Sequence, residues 1–301
     1  MTSNSYCAGC IANGFLDACA GSFARIGIIK VHWECWSECN LPCSFCYRTK
    51  GTALSTDEAQ KLIAAVKASG ADTIVFAGGD PSIRPDICIL FEYAKTQNLR
   101  VEIQTNAHHT PRQFLETLKN TDLVGLSLDG PDSFTHDQFR DKPGNFERVL
   151  KLAGFLENNG VRTIVRTVVS KRNYQNVVKI GELLERRQNI VRWSLLEFSA
   201  VGEGYINRQN YSVDRESFQK VAADVKSHFR GPAQVDVYGA DAKVGTYALI
   251  TPSGLVYGTG NPPLDGVFPV CGSILHEHLS AIAEKLPFSK ENHFLRYGST
   301  I

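Results

Sequence analysis

The feature that most constrains this chain is the stretch Cys39-Asn-Leu-Pro-Cys43-Ser-Phe-Cys46, three thiols within eight residues spaced C-x3-C-x2-C. Thiolates held that closely on one loop suit soft metals, and iron–sulfur ligation above all. Three ligands suit a four-iron cluster with one iron left open to a substrate or cosubstrate. A structural zinc site is normally closed by four ligands, and no fourth thiol or His completes a finger spacing just downstream. Cys35 also precedes Cys39 by four positions, but the next thiol in that register falls on Pro42, so only one assignment fits.

The rest of the chain alternates strand and helix signals. Ile26 to Trp33 is a short apolar run of strand length, weakened by Gly27. Thr56 to Ala68 reads as a helix, with Ser55 as N-cap, Glu58 as its capping-box partner and Gly70 as the stop. Strands are predicted at Asp72–Ala77, Arg100–Gln104, Asp122–Leu128, Val161–Val169 and Ile190–Phe198. The helices between them are placed at Asp86–Gln97, Pro111–Lys119, Asn145–Asn159 and Val177–Arg187. Six strands interleaved with helices imply a parallel sheet wound by right-handed βαβ units. Active groups then belong at the C-terminal ends of the strands. Gly78-Gly79-Asp80-Pro81 closes the second strand, where two glycines permit close backbone approach or positive φ.

In its cysteine spacing, in Phe45 between the second and third cysteines, and in Gly78-Gly79-Asp80 downstream, the chain resembles the radical S-adenosylmethionine (radical SAM) superfamily. The resemblance implies a partial (β/α)6 TIM-like barrel. It also implies a [4Fe–4S] cluster on Cys39, Cys43 and Cys46 whose open iron chelates the amino and carboxylate groups of SAM. The reduced cluster then yields methionine and a 5′-deoxyadenosyl radical. Gly78, Gly79 and Asp80 would meet the SAM amino group, with Asp80 in place of the more frequent Glu. Thr105, Asn106, Ser127, Asp129, Arg166 and Asn173 lie near or past strand ends, where they would hold the ribose hydroxyls and carboxylate. The region of Val191–Trp193 would support the adenine. Ribose hydroxyls want Ser, Asn or Asp partners, and a carboxylate wants a cation.

The domain reading is a Cys-bearing leader over 1–25, a barrel core over 26–200 and a substrate-side extension over 201–301. In the leader, Cys7, Cys10 and Cys19 are candidate ligands of a second iron–sulfur site, with Cys35 or Cys271 as a fourth. In the extension, Val201–Asn210 reads as a loop, Val213–His228 and Leu275–Leu286 as helices, and Val235–Val237, Tyr247–Thr251 and Leu255–Tyr257 as strands. Thr251-Pro-Ser-Gly254 is the hairpin turn. This layer resembles the SPASM and twitch branches of the superfamily, although only Cys271 lies beyond residue 88. It also resembles viperin-like nucleotide dehydratases through Val191-Arg-Trp193, the Tyr247–Tyr257 hairpin and Phe294-Leu-Arg-Tyr-Gly298, but Tyr47 stands where those members carry Phe.

Four readings of function follow. The first is hydrogen abstraction from a small sugar- or nucleotide-like biosynthetic substrate, and the second is viperin-like dehydration. The third is a SPASM-like peptide maturase or epimerase with Cys271 returning hydrogen, and the fourth a non-catalytic iron–sulfur sensor. His32, Arg48 and Lys50 flank the cysteine loop as contacts for an anionic substrate. His108, His109 and His136 are candidate acid–base groups. With 32 basic against 31 acidic residues, no nucleic-acid surface is expected. No apolar run spans a membrane and no signal peptide is evident. Nine cysteines then suit ligands or free thiols in a reducing cytoplasm, with flavodoxin or ferredoxin as electron donor.

Overall fold

The protein is described by a computed structural model covering residues 27–260, 265–277 and 279–297; the leader cysteines Cys7, Cys10 and Cys19 lie outside the described residues. Ten strands form one sheet. They are β1 (Lys30–Trp36), β2 (Thr73–Gly78), β3 (Arg100–Thr105), β4 (Leu123–Ser127), β5 (Thr163–Val169), β6 (Ile190–Glu197), β7 (Gln234–Tyr238), β8 (Ala248–Ile250), β9 (Leu255–Gly258) and β10 (Val270–Ser273). The spatial order is β10-β9-β8-β1-β2-β3-β4-β5-β6-β7. From β8 to β7 every neighbouring pair is parallel, whereas β9 pairs antiparallel with both β8 and β10. The six expected strands are therefore present, and β7 and β8 extend the parallel run on either side.

Helices α1 (Thr56–Ala68), α2 (Ile87–Thr96), α3 (Arg112–Lys119), α4 (Ser133–Arg140), α5 (Asn145–Asn158) and α6 (Val177–Leu184) fill the crossovers. In α1 the capping box is complete: Ser55 Oγ accepts from Glu58 N, and Ser55 N donates to the Glu58 carboxylate. Its stripe of Leu62, Ile63 and Val66 is buried against the outer face of the sheet. Alternation sorts each strand. Val31 and Trp33, Val101 and Ile103, Val165 and Val169, Trp193 and Leu195 join the apolar layer under the helices. Their even-numbered neighbours face the interior. Each large side chain in that layer contributes roughly 1.5–3 kcal/mol.

Several boundaries differ from the sequence reading. β1 begins at Lys30, after Gly27 at φ +82°, and runs through Glu34 to Trp36. Polar Lys30, His32 and Glu34 point inward, so hydropathy alone set the strand too early. The segment around His136 is the helix α4, started by Asp132 accepting from Thr135 N; it carries too few apolar residues to show a stripe. The expected loop after β6 holds two short helices, α7 (Glu203–Ile206) and α8 (Arg208–Tyr211). Helix α9 (Arg215–His228) follows as predicted. The expected helix Leu275–Leu286 is present only as the shorter α10 (Leu279–Ala283), with β10 before it and a further helix, α11 (Lys290–Tyr297), beyond it. Helix α11 binds back to the first strand: His293 Nε2 accepts from Ile29 N at 3.1 Å and faces Lys30 N at 3.4 Å, and Nδ1 donates to Thr246 O at 2.7 Å. Burial holds His293 down to about 4, so this fully buried ring is neutral.

Candidate active site

A cavity of about 980 Å³ occupies the interior of the parallel run and opens beyond the C-terminal ends of its strands. One wall is the cysteine loop that follows β1. Backbone contacts clamp this loop to the end of β2: Gly79 N donates to Trp36 O at 2.6 Å and Asp80 N to Glu38 O at 3.0 Å. The approach is so close that a Cβ on Gly79 would lie 1.7 Å from Glu38 O, and Gly78 has φ +117°. These two glycines are therefore required by contact and by backbone angle respectively.

Cys39, Cys43 and Cys46 all line the cavity, and each is partly exposed there. Burial pushes their thiols up, Cys43 to about 12, although the nearby Arg140 guanidinium pulls Cys43 the other way. Among the described residues no three His, Cys, Asp or Glu side chains converge where a single metal ion would sit. A cubane has no such requirement, because each thiolate takes a different iron and the sulfurs stand apart around the cluster. Three cavity-lining sulfurs on one short loop fit that group, and binding iron there would remove their protons. Phe45 packs between Phe139 and Tyr211 with Arg140 over its ring, which fixes the loop on its outer side.

Asp80 is the connecting group at the next strand ends. Its carboxylate accepts from Ser82 N at 2.9 Å, Asn106 N at 2.7 Å and Thr105 Oγ1 at 3.1 Å. Burial raises its pKa against the pull of these donors. Asn106 Nδ2 in turn donates to Asn40 Oδ1 at 2.8 Å and reaches Cys39 Sγ at 3.4 Å. The ends of β2 and β3 are thus tied to the cysteine loop.

Charge is concentrated deeper in the cavity. Glu102 on β3 is 1 % exposed and pairs with both Lys30, at 3.1 Å, and Arg166. Burial disfavours its charge, but the two cations outweigh this and hold it well below the usual carboxylate range. Gly125 on β4 makes room for the Arg166 guanidinium, since a Cβ there would sit 2.1 Å from Nη1. Arg192 pairs with Asp236 at 2.9 Å. The Arg296 guanidinium, from α11, lies 3.8 Å from the ring centre of Tyr238 and 4.4 Å from that of Tyr247, so α11 contacts both β7 and the lead-in to β8.

Of the residues singled out from sequence, the three cysteines, Phe45, Gly78, Gly79, Asp80, Asn106, Ser127 and Arg166 line this cavity, as do His32, Arg48 and Lys50. Others do not reach it. Asp129 is fully buried, accepting from Val168 N at 2.8 Å and pairing with Arg140 at 2.6 Å, so it positions a cavity residue without lining the cavity. The Trp193 side chain points into the outer layer, where its indole N–H donates to Thr167 Oγ1 at 3.0 Å and its ring meets Phe229. The period-two alternation of β6 turns Arg192 and Ser194 inward instead. Cys271 sits on β10 with its thiol 3.4 Å from Lys285 O, away from the lining. Cys35 is in the outer core, its thiol donating to Ala77 O. His136 is fully buried, accepting from Asp129 N and bonded to Asn145. His108 and His109 do not line the cavity either. Sequence reasoning passed over Lys30, Glu102, Arg140 and Lys243, and touched Arg192 and Arg296 only as members of Val191-Arg-Trp193 and Phe294-Leu-Arg-Tyr-Gly298. For Lys30 and Glu102 a signal existed: polar residues at alternate positions of strands with helices over one face imply a second, polar interior.

The Radical SAM superfamily profile matches residues 33–184. The AdoMet-dependent heme synthase of Nitratidesulfovibrio vulgaris is 32% identical over 163 residues, covering 52% of this chain and 44% of that protein. The mycofactocin maturase MftC of Mycobacterium tuberculosis is 27% identical over 181 residues, 58% of this chain and 46% of that one. The chain thus spans about half the length of the curated relatives it matches. In fold it is similar to Streptococcus suis SuiB, solved with its precursor peptide SuiA: the TM-score is 0.70 at 18% identity, covering 86% of this chain and 65% of that one. The cysteine loop, the glycine turn, the strand ends that meet them and half of the chain all lie inside the matched span, and the chain belongs to the radical SAM superfamily of enzymes, which use a [4Fe–4S] cluster and S-adenosylmethionine.

Proposed function

We propose that this chain cleaves SAM reductively at a [4Fe–4S] cluster held by Cys39, Cys43 and Cys46, and directs hydrogen abstraction at a substrate seated in the cavity. Held there, the reduced cluster would supply the one electron needed to cleave the sulfonium and so make hydrogen abstraction possible. The carrying observation is that the three thiols, the Gly78-Gly79 backbone and Asp80 meet at one wall of a single cavity.

The chain's own groups then divide the work. Asp80 and the backbone at Gly78 accept from the SAM ammonium, while Asn106 and Ser127 offer hydrogen bonds to its ribose. Arg166, already drawn to Glu102, presents a guanidinium to the methionyl carboxylate. Phe45 keeps the loop rigid and Asp129 fixes Arg140 beside Cys43. The enclosing strands exclude water from the reacting centre.

The named relatives include a heme synthase and a peptide maturase, so a small biosynthetic acceptor or a peptide is favoured. A sugar- or nucleotide-like substrate finds no support among them. A low-potential donor such as flavodoxin or ferredoxin would supply the electron. Among the described residues no helix is long and apolar enough to cross a membrane, and iron–sulfur chemistry suits a reducing compartment.

The test is anaerobic reconstitution followed by dithionite and SAM, with 5′-deoxyadenosine as the readout. Wild-type protein should form it and a Cys43→Ala variant should not; a fully iron-loaded wild type forming none would overturn the reading. Iron analysis also addresses Cys7, Cys10 and Cys19, which we assign to a second cluster. About eight irons falling to about four in the triple alanine variant supports that cluster, and about four in both proteins removes it.

A further inference from the structure

We propose that Arg296, with Lys243 lining the same cavity, is the docking point for a carboxylate of the substrate, so that the acceptor is a carboxylic acid. The inference rests on the cavity being the active site, and it adds the chemical class of what enters.

Charge balance comes first. Among the described residues the inner wall carries Lys30, Arg166, Arg192 and Arg296. Glu102 is shared by Lys30 and Arg166, and Asp236 pairs with Arg192. No described acidic side chain lies within ion-pair range of Arg296, which is 6 % exposed. Its guanidinium is held by rings: Tyr238 at 3.8 Å, Tyr247 at 4.4 Å and Tyr297 at 5.7 Å, with Nη2 donating to the Tyr247 hydroxyl. Nη1 is buried and, among the described residues, has no hydrogen-bond partner. A buried cation without a counter-charge is retained where something else completes it.

Lys243 supplies the second donor. Its ammonium lines the same cavity and is anchored by Glu197 O and Ser199 Oγ. Burial first, and then the charge of Arg296, bring its pKa down to about 7 against the pull of Glu197, so a docked anion would favour its protonated form. The same anion would pair the orphaned N–H of Arg296. A guanidinium with its faces stacked on tyrosines leaves only its edge for hydrogen bonding, which favours a planar carboxylate.

Asp80 and Asn106 are tied to the cysteine loop, whereas Arg296 is held by Tyr238 on β7 and Tyr247 at the lead-in to β8. The SAM affinity of an Arg296 variant distinguishes a cation that serves the cosubstrate from one that serves a second anion.

Calorimetric titration of the reconstituted holoprotein with SAM present and no reductant tests this, using benzoate and propionate as probes and benzamide and propionamide as uncharged controls. The acids are expected to bind at least about tenfold more tightly than the amides, and Arg296→Gln to lose about that factor, as for a charged hydrogen bond removed from a buried site. Arg296→Lys should restore part of it, and SAM affinity should change less than about twofold. Equal affinity for acid and amide in the wild-type protein, or no benzoate binding, overturns the proposal without reference to any variant. So does an Arg296→Gln protein that keeps benzoate and loses SAM, since Arg296 would then serve the cosubstrate. Because no SAM cleavage is required, a failure here is distinguishable from a failure to form 5′-deoxyadenosine.

Discussion

Replacing Gly79 by alanine is expected to displace the cysteine loop. The added Cβ would lie 1.7 Å from Glu38 O and 2.4 Å from its carbonyl carbon. An ordinary carbon–oxygen contact is roughly 3.3 Å, so about 1.5 Å of separation is missing. The obstacle is backbone, which cannot rotate aside as a flexible side chain can. Two hydrogen bonds hold the backbones together here, Gly79 N to Trp36 O at 2.6 Å and Asp80 N to Glu38 O at 3.0 Å. Losing both costs about 1 kcal/mol each, and the steric overlap adds about 1–3 kcal/mol. The total is roughly 3–5 kcal/mol, and the residue pushed away immediately precedes Cys39. Urea denaturation should show this loss. Reconstituted Gly79→Ala should hold well under four irons and form little 5′-deoxyadenosine. A variant within about 1 kcal/mol of wild type, fully iron-loaded and cleaving SAM normally, would refute the claim that this approach positions the cluster loop.

Three further outcomes follow from other sites. Burial raises Glu34 from 4.5 to about 7. The folded state therefore holds a proton that the unfolded state has released, and stability should fall by roughly 3 kcal/mol as pH rises from 4.5 through 7. Glu34→Gln should flatten that decline in denaturation midpoints measured across the window, and an unchanged slope would count against it. Glu102→Gln leaves Lys30 and Arg166 buried without their shared carboxylate, and unfolding free energy should drop by about 3–5 kcal/mol at neutral pH; a neutral result would mean that the two cations find other partners. Gly154→Ala is the contrasting case. Nothing lies within 4 Å of its Cβ position, mid-helix in α5. It should gain about 0.5–1 kcal/mol by calorimetry with iron content unchanged, and a loss would expose an unseen contact.

Local chemistry explains what could be read in advance. The capping box at Ser55 and Glu58 involves residues three apart, so it forms wherever the helix does. Alternating hydrophobic runs placed β2 to β6 within a few residues. By contrast β1 was set too early because its inward face is polar. The helix Ser133–Arg140 was missed because His136 and Phe139 are its only buried residues. Trp193 and Asp129 show the same difficulty: Trp193, in the middle of β6, faces the helices, and Asp129, just past the end of β4, supports Arg140 from behind. Strand position gave the height in the barrel, and register decided the direction.

The sequence by itself determined the three-cysteine loop, the glycine turn that meets it and the winding of strands around them, since each depends on residues close together in the chain. Only the tertiary structure decided what faces the cavity. Lys30, Glu102, Arg166, Lys243 and Arg296 come from segments as much as 266 positions apart, and no local pattern links them. Their charges matter because folding removes water from between them, and in that enclosed space Glu102 has its counter-ions while Nη1 of Arg296 has no partner among the described residues.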